Sequence, residues 1–270
     1  MTPTNYIQDN KAAWEGSFAN RTNQWGDDNY LKLQNETLPF FHPDVKAKLK
    51  ELDFAGKAVA QFCCNNGREL LSLSHLGIAR GVGFDIAENI LEQARHTAKH
   101  AGIDTCEFVA TSILEIPQSY HEQFDYVLIT IGALCWFEDL ALFFEQVAKC
   151  LKPGGQVIIS EGHPFLDMIP VPGDEGYDPD NLNKVVFSYF RTEPWIENKG
   201  MGYMGDRSGV SKTFTSFSHT MSERINAMAT HGIYVTELHE YDYEIGSLAP
   251  MYSHKGMPLS YIMLAKKMQG

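Results

Sequence analysis

The chain has 270 residues, 44% of them hydrophobic, which is enough for a real core in one large domain or two small ones. Its formal net charge of −12, from 22 Lys+Arg against 34 Asp+Glu, argues against a phosphate-backbone partner and against docking on an anionic membrane. No apolar run approaches the ~20 residues of a membrane span. The opening MTPTNYIQDNKAAW lacks the apolar core and cleavage site of a secretory leader. The five cysteines, Cys63, Cys64, Cys106, Cys135 and Cys150, are odd in number and scattered, as buried thiols of a reducing compartment would be. A cytoplasmic protein is the expectation.

In chain order, Ile7 to Phe18 places Ile7, Trp14 and Phe18 on one helical face. His42-Pro43 opens a helix with Val45, Leu49 and Leu52 on one stripe. Ala58 to Cys63 reads as a first strand, Glu69 to Leu76 as a short helix, and Ala79 to Phe84 as a second strand. Ala87 to Ala101 is a helix stopped by Gly102. Thr105 to Ala110 and Phe124 to Ile131 follow as strands, and Asp139 to Leu151 as a helix. Lys152-Pro-Gly-Gly155 breaks that helix ahead of a fifth strand, Val157 to Ser160.

These strands are almost continuously apolar, which is the mark of a parallel sheet covered on both faces. Their alternation with helices implies right-handed βαβ units and an open, doubly wound α/β fold. Past Gly162 the rhythm stops. His163 to His219 is rich in Gly, Pro and aromatics, and a stretch this long inside one domain suggests a cap. Val185 to Phe190 and Lys212 to Phe217 are its candidate strands. Thr220-Met-Ser-Glu223 is a capping box opening a helix to Thr230. Ile233 to Tyr241 and Leu259 to Lys266 close the chain as strands. One domain is expected: an N-terminal helical lid (1–55), a core (56–162), an inserted cap (163–219), and a last helix and strand pair (220–270).

In a doubly wound sheet the ligand lies beyond the carboxyl ends of the strands. Two features stand there. The loop Cys63-Cys64-Asn65-Asn66-Gly67 follows the first strand, with Asn65 where glycine is more usual and able to adopt the left-handed conformation. Asp85 ends the second strand; it can bind ribose hydroxyls, cap the following helix, or do both. Adjacent cysteines on a strand point to opposite faces, and neither C-x-x-C nor paired His follows, so no metal is expected at Cys63 and Cys64.

With FVATSILEIP, FDYVLITIGALCWFED and LKPGGQVIISEGHP following in that order, the stretch from Val59 to Glu161 resembles the class I S-adenosylmethionine-dependent methyltransferases. The family's sheet is Rossmann-like, mostly parallel, with about seven strands and one antiparallel strand from its last pair. The usual acid-x-Gly-x-Gly-x-Gly reads here Gln61, Cys63, Asn65 and Gly67; a branch with Gln-Cys-His before the retained glycine is more similar. The resemblance implies S-adenosylmethionine as cofactor. Cys63, Cys64, Asn65 and Gly67 would wrap its methionine part. Asp85 and Ile86 would take the ribose, Ser112 and Ile113 the adenine, and Ile131 and Gly132 would flank the methionine. Gln61 leaves the cofactor's ammonium one partner fewer. Trp14 either closes over the cofactor as part of a lid or packs against the sheet.

Methyl transfer to a small molecule is the expected reaction, with no nucleic-acid acceptor. Where the acceptor needs a base, His163 and His219 are the candidates, each of which can instead be a positioning histidine. Glu161 and Tyr189 are weaker candidates. Trp136, Tyr189 and Trp195 are expected around the acceptor. Two other readings stay open: a nicotinamide-dependent oxidoreductase on a similar sheet, and a non-catalytic S-adenosylmethionine-binding protein.

Overall fold

The computed structural model describes residues 5–182, 184–205 and 212–269. Helix α1 (Tyr6–Ala19) and the short α2 (Asn29–Asn35) lead into α3 (Pro43–Glu51). Strand β1 (Ala58–Phe62) runs into α4 (Arg68–Ser72), which tightens into a 3-10 turn at Leu73–Leu76. Then come β2 (Arg80–Asp85), α5 (Glu88–Ala101), β3 (Cys106–Ala110), β4 (Phe124–Thr130), α6 (Leu140–Cys150) and β5 (Leu151–Gly162). A small ribbon of β6 (Trp195–Glu197) and β7 (Phe214–Ser216) precedes α7 (Met221–Ala229), β8 (Ile233–Tyr241) and β9 (Ser260–Lys267).

Seven strands form the main sheet in the order β3-β2-β1-β4-β5-β9-β8. The pairs from β3 across to β5 are parallel, and β9 is antiparallel to both β5 and β8. The fold is therefore the Rossmann-like sheet expected from the sequence, with its single reversed strand. Both faces are packed. Phe62, Phe84, Val127 and Ile159 meet α6 and α7 on one side, while Val59, Leu128 and Ile158 meet α3, α4 and α5 on the other. This two-sided burial is why the strands read as apolar runs. Chain order reverses between β1 and β4, so their carboxyl ends open a crevice.

The structure departs from the expected elements in four places. Lys152-Pro-Gly-Gly155 does not separate helix from strand: β5 already begins at Leu151, and the irregularity appears as a register shift against Phe124 and Tyr126. Helix α2 was not expected; it is short, and Leu33 is its one buried apolar side chain, so no periodic stripe marks it. Val185 to Phe190 is not a strand. Val185 and Phe190 are 58% and 75% exposed, so no partner pays for extending them, and the strand lies instead at Trp195–Glu197. Of Lys212 to Phe217, only Phe214–Ser216 is a strand. The ribbon these two strands make falls inside the stretch expected as a cap.

Candidate functional site

Helix α4 needs an entry turn that brings its backbone close to the sheet, and the loop from Cys63 to Gly67 supplies it with three left-handed residues. Cys63, Asn65 and Gly67 have φ of 54°, 50° and 69°. Glycine is obligatory at the last: a Cβ on Gly67 would sit 2.3 Å from the Phe108 ring. Asn65 holds its unusual conformation with its own side chain, whose Oδ1 accepts the Asn66 N–H at 2.8 Å. Its backbone N–H donates to Asp85 Oδ2 at 2.8 Å, and its Nδ2 donates to the Tyr203 hydroxyl at 3.3 Å. Buried Asn66 donates to Gln93 Oε1 at 3.0 Å, and Gln93 in turn donates to the Trp25 carbonyl and to Asp27. Side-chain amides thus do in this loop what small glycines do in looser ones: they fix a tight backbone.

A cavity of about 730 Å³, counting the part open to solvent, lies over this loop and the carboxyl ends of β1 to β4. Of the residues expected to bind cofactor, Trp14, Cys63, Asn65, Asp85, Ile86, Ser112, Ile113, Ile131 and Gly132 all line it. Cys64 and Gly67 do not. The Cys64 side chain is fully buried in the core beneath the loop, and Gly67 serves as the cap of α4. Burial pushes both the Cys63 and Cys64 thiols well up, so both stay protonated.

Asp85 is the one carboxylate among the lining residues. It does not cap α5, whose cap is Ala87; its Oδ1 instead accepts the Ala87 N–H at 3.0 Å. Burial raises its pKa, while the N–H groups of Ala87, Asn65 and Ile86 pull it back down. These bonds place one N–H on each carboxylate oxygen, Asn65 on Oδ2 and Ala87 on Oδ1, which leaves acceptor capacity on both.

Gln61 turns out not to face the cavity at all. It is fully buried, donating to Thr130 Oγ1 at 2.8 Å and accepting the Leu70 N–H at 3.0 Å. It ties β1 to β4 and to the first turn of α4, so the expectation of a lost ammonium partner concerned a residue that looks inward.

Five lining residues were not expected: Ile7, Asn10, Ala133, Phe137 and Tyr203. Ala133 and Phe137 belong to the loop after β4, where the run ITIGALCWF was a usable signal. Ile7 and Asn10 come from α1 and Tyr203 from a 3-10 turn before the ribbon. Asn10 is buried and makes two bonds with one residue: Nδ2 donates to the Thr215 carbonyl at 2.8 Å, and Oδ1 accepts the Thr215 N–H at 2.7 Å. Trp14, Trp136 and Phe214 pack edge to face and tilted, with centroids 5.3 to 5.7 Å apart. Helix α1, the β4 loop and β7 thus meet over the cavity as one aromatic wall. Trp14 both lines the cavity and packs in this wall.

The histidines lie elsewhere. His163 Nδ1 accepts the Phe165 N–H at 3.1 Å, which leaves its proton on Nε2, 2.9 Å from Glu240. His219 Nε2 meets the Phe137 carbonyl at 2.8 Å. Burial lowers the pKa of both rings. Neither lines the cavity: both nitrogens of His163 are occupied, and His219 supports the wall from behind. Tyr189 and Trp195 are also outside. The Tyr189 hydroxyl accepts the Met221 N–H at 2.9 Å, and the Trp195 ring lies 3.9 Å under the Arg191 guanidinium and donates to Ser218. Of the three aromatics expected around an acceptor, Trp136 alone lines the cavity.

Glu161 is 4% exposed and faces the same loop from beneath. Its Oε2 accepts the N–H of Gly132 at 2.8 Å and of Gly162 at 3.2 Å; its Oε1 accepts those of Ala133 at 2.7 Å and Leu134 at 3.2 Å.

Residues 59–155 match a family model described as a methyltransferase domain. A demethylmenaquinone methyltransferase of Lactococcus lactis subsp. lactis is 30% identical over 118 residues, 42% of this chain and 46% of the relative. A tRNA U34 carboxymethyltransferase of Campylobacter hominis is 30% identical over 127 residues, 46% of this chain and 40% of the relative. The chain thus spans less than half the length of these curated relatives. An S-adenosylmethionine-dependent methyltransferase structure from Mesorhizobium loti superposes with a TM-score of 0.59 at 21% identity, covering 87% of this chain and 99% of that one. At that identity the likeness shows the fold.

Proposed function

We propose that this chain, whose residues 59–155 match a methyltransferase domain and whose fold is that of an S-adenosylmethionine-dependent methyltransferase structure, moves a methyl group from S-adenosylmethionine to a small-molecule acceptor. The observation that carries the reading is the coincidence of one cavity with the ends of β1 to β4, lined by Asp85 and bounded by an aromatic wall.

The residues present suit the cofactor. Asp85 offers lone pairs to two ribose hydroxyls; Ile86, Ser112 and Ile113 offer a flat apolar slot for adenine; Cys63, Ile131 and Gly132 flank the methionine part. When bound, S-adenosylmethionine supplies an activated methyl on a sulfonium. The protein's share of the chemistry is then to align and to exclude water. Trp14, Trp136 and Phe137 present ring surface, which shields the site and attracts a sulfonium cation by its π faces. Asn10 holds α1 on β7, keeping that wall closed.

A small acceptor is favoured because α1, Tyr203 and the β4 loop partly cover the cavity, and because the net charge is −12. The test is calorimetric titration with S-adenosylhomocysteine, in the parent and in Asp85→Ala. Two charge-assisted hydrogen bonds at about 1.5–3 kcal/mol each imply a loss of about 100-fold or more in affinity. Equal affinity in a folded variant rules out the ribose assignment. The Campylobacter relative is named for a tRNA substrate. Retarded migration of bulk tRNA with the protein at physiological salt would favour an RNA acceptor over a small one.

A further inference from the structure

The loop from Ile131 to Trp136 carries one wall of the cavity, yet it has no ladder of its own. A strand has just ended, and α6 starts only at Leu140. Backbone N–H groups in such a loop need acceptors wherever water is excluded. Here Gly132, Ala133 and Leu134 all aim their N–H groups at the same buried carboxylate. We propose that Glu161 is the positioning residue of this loop: its acceptor-only carboxylate sets the backbone of residues 132–134 in the shape that takes the methionine end of the cofactor. The ligand half of this statement rests on the function proposed above; the loop half does not.

The chemistry selects a carboxylate. Four N–H groups converge on two oxygens, two on each. A glutamine in the same place would turn an NH₂ group toward two of those donors whichever way it lay. Glu161 needs a reason to stay charged while buried, and the structure provides two. One is the set of amides, which favours the ionised form against the upward push of burial. The other is Arg224 on α7, buried at 6% exposure. Its Nη1 donates to the Gly162 carbonyl at 2.9 Å and to the Tyr261 hydroxyl at 3.0 Å, and its charge opposes the burial that raises Glu161 and Asp167. Arg224 thus pins the end of β5 to β9 and holds its charge behind Glu161. The path is continuous: α7, Arg224, the end of β5, Glu161, the β4 loop, the cavity wall.

Three variants test this. Glu161→Gln removes the second acceptor oxygen. Glu161→Asp keeps the carboxylate but draws it back by one methylene. Asp167→Asn removes a half-buried carboxyl that Arg224 also acts on and that bonds Ser218, not the amides of residues 132–134, so it controls for loss of a carboxylate near Arg224. The first measurement is amide hydrogen exchange in the ligand-free protein. Exchange at residues 132–134 should quicken on the order of 10-fold or more in Glu161→Gln and less in Glu161→Asp, with β1 and β2 as protected as in the parent. Asp167→Asn should exchange there like the parent. The second measurement is the Kd for S-adenosylhomocysteine, expected to weaken about 10-fold or more in Glu161→Gln, less in Glu161→Asp, and less than about 2-fold in Asp167→Asn.

Parent-like exchange at 132–134 in both Glu161 variants overturns the proposal. So does an equal change in Asp167→Asn, which would make Glu161 one more buried charge of a shared network. If the exchange pattern appears but the parent protein itself does not bind S-adenosylhomocysteine, the methyl-transfer reading fails while the hold of Glu161 on the loop stands.

Discussion

Gly67→Ala is the substitution that tests the loop geometry most directly, because the structure supplies its own control. Gly67 and Gly102 share a left-handed backbone, with φ of 69° and 71°. They differ in what a methyl group would meet. At Gly67 the new Cβ would lie 2.3 and 2.6 Å from two carbons of the Phe108 ring and 3.1 Å from the Ala94 Cβ; at Gly102 nothing lies within 4 Å. Alanine at Gly102 therefore costs only the left-handed strain, about 1–2 kcal/mol. Alanine at Gly67 costs that plus forced repacking against a buried aromatic ring, about 1–3 kcal/mol more. The sums are about 1–2 against about 2–5 kcal/mol. With an unfolding entropy near 2 cal/mol/K per residue, each kcal/mol shifts Tm by about 2 °C in a chain of this length. Urea unfolding of both variants, with m held common, measures the difference. Gly67→Ala should also weaken S-adenosylhomocysteine, since the strained methyl displaces the N-terminus of α4 and with it Asn65; Gly102→Ala should not. Equal destabilisation by the two variants would show that the loop yields freely, and the argument that it is a rigid template would fall.

Asn10→Ala removes two buried hydrogen bonds to Thr215, and leaving that N–H and carbonyl unsatisfied costs about 2–4 kcal/mol in total. The loss should be local: limited proteolysis should cut between residues 195 and 216 faster, and unchanged cutting would mean that α1 and β7 are held by the rings alone. His163 and His219 give stability a pH dependence. Their lowered pKa values mean that the folded state holds them neutral while the unfolded chain protonates near pH 6.5. Their contribution is present above about pH 6.5 and is lost as pH falls through the lowered values. Asp85, Glu161 and Asp167 are raised and act with the opposite sign in the acid range, so the diagnostic is a difference between proteins. His219→Gln keeps a donor for the Phe137 carbonyl but cannot titrate, so its Tm should fall less than the parent's between about pH 7.5 and 5.5. Identical pH slopes would show that His219 is not held neutral by burial.

The sheet was legible because it depends on local pattern. Apolar runs mark strands buried on both faces, as at Phe124–Thr130, and the largely exposed edge strand from Ile233 to Tyr241 also has the expected bounds. The cavity's floor was legible for the same reason, since Asp85, Ser112 and Ile131 follow directly from where strands end. The roof was not. Ile7, Asn10 and Tyr203 reach the cavity by contacts between segments far apart in the chain, Asn10 with Thr215 and Tyr203 with Asn65, and no periodicity encodes such pairs. The inward aim of Gln61 was not legible either, for a different reason. By strand alternation it should share a face with Cys63, but Cys63 has φ of 54° and breaks the pleat. The side chain before the break faces inward with the sheet, while the one after it lines the cavity.

That break also explains why the paired cysteines and paired asparagines fall into two kinds. Cys64 and Asn66 point into the protein, one into the core and one onto Gln93; Cys63 and Asn65 line the cavity. Asn65 is held by its own side chain and by Asp85 and Tyr203, and Asn66 by Gln93, so the loop's shape comes from its own bonds together with β2, α5 and the turn at Tyr203. The β4 loop is the opposite case. Its three amides have no local acceptor and depend on Glu161, one strand away. A cavity with one wall stiffened by left-handed residues and several partners and one wall whose amides meet in a single carboxylate should respond unequally to change. Substitutions in the Cys63–Gly67 loop should act through local strain, and substitutions in α7 or at the end of β5 should reach the cavity through Glu161.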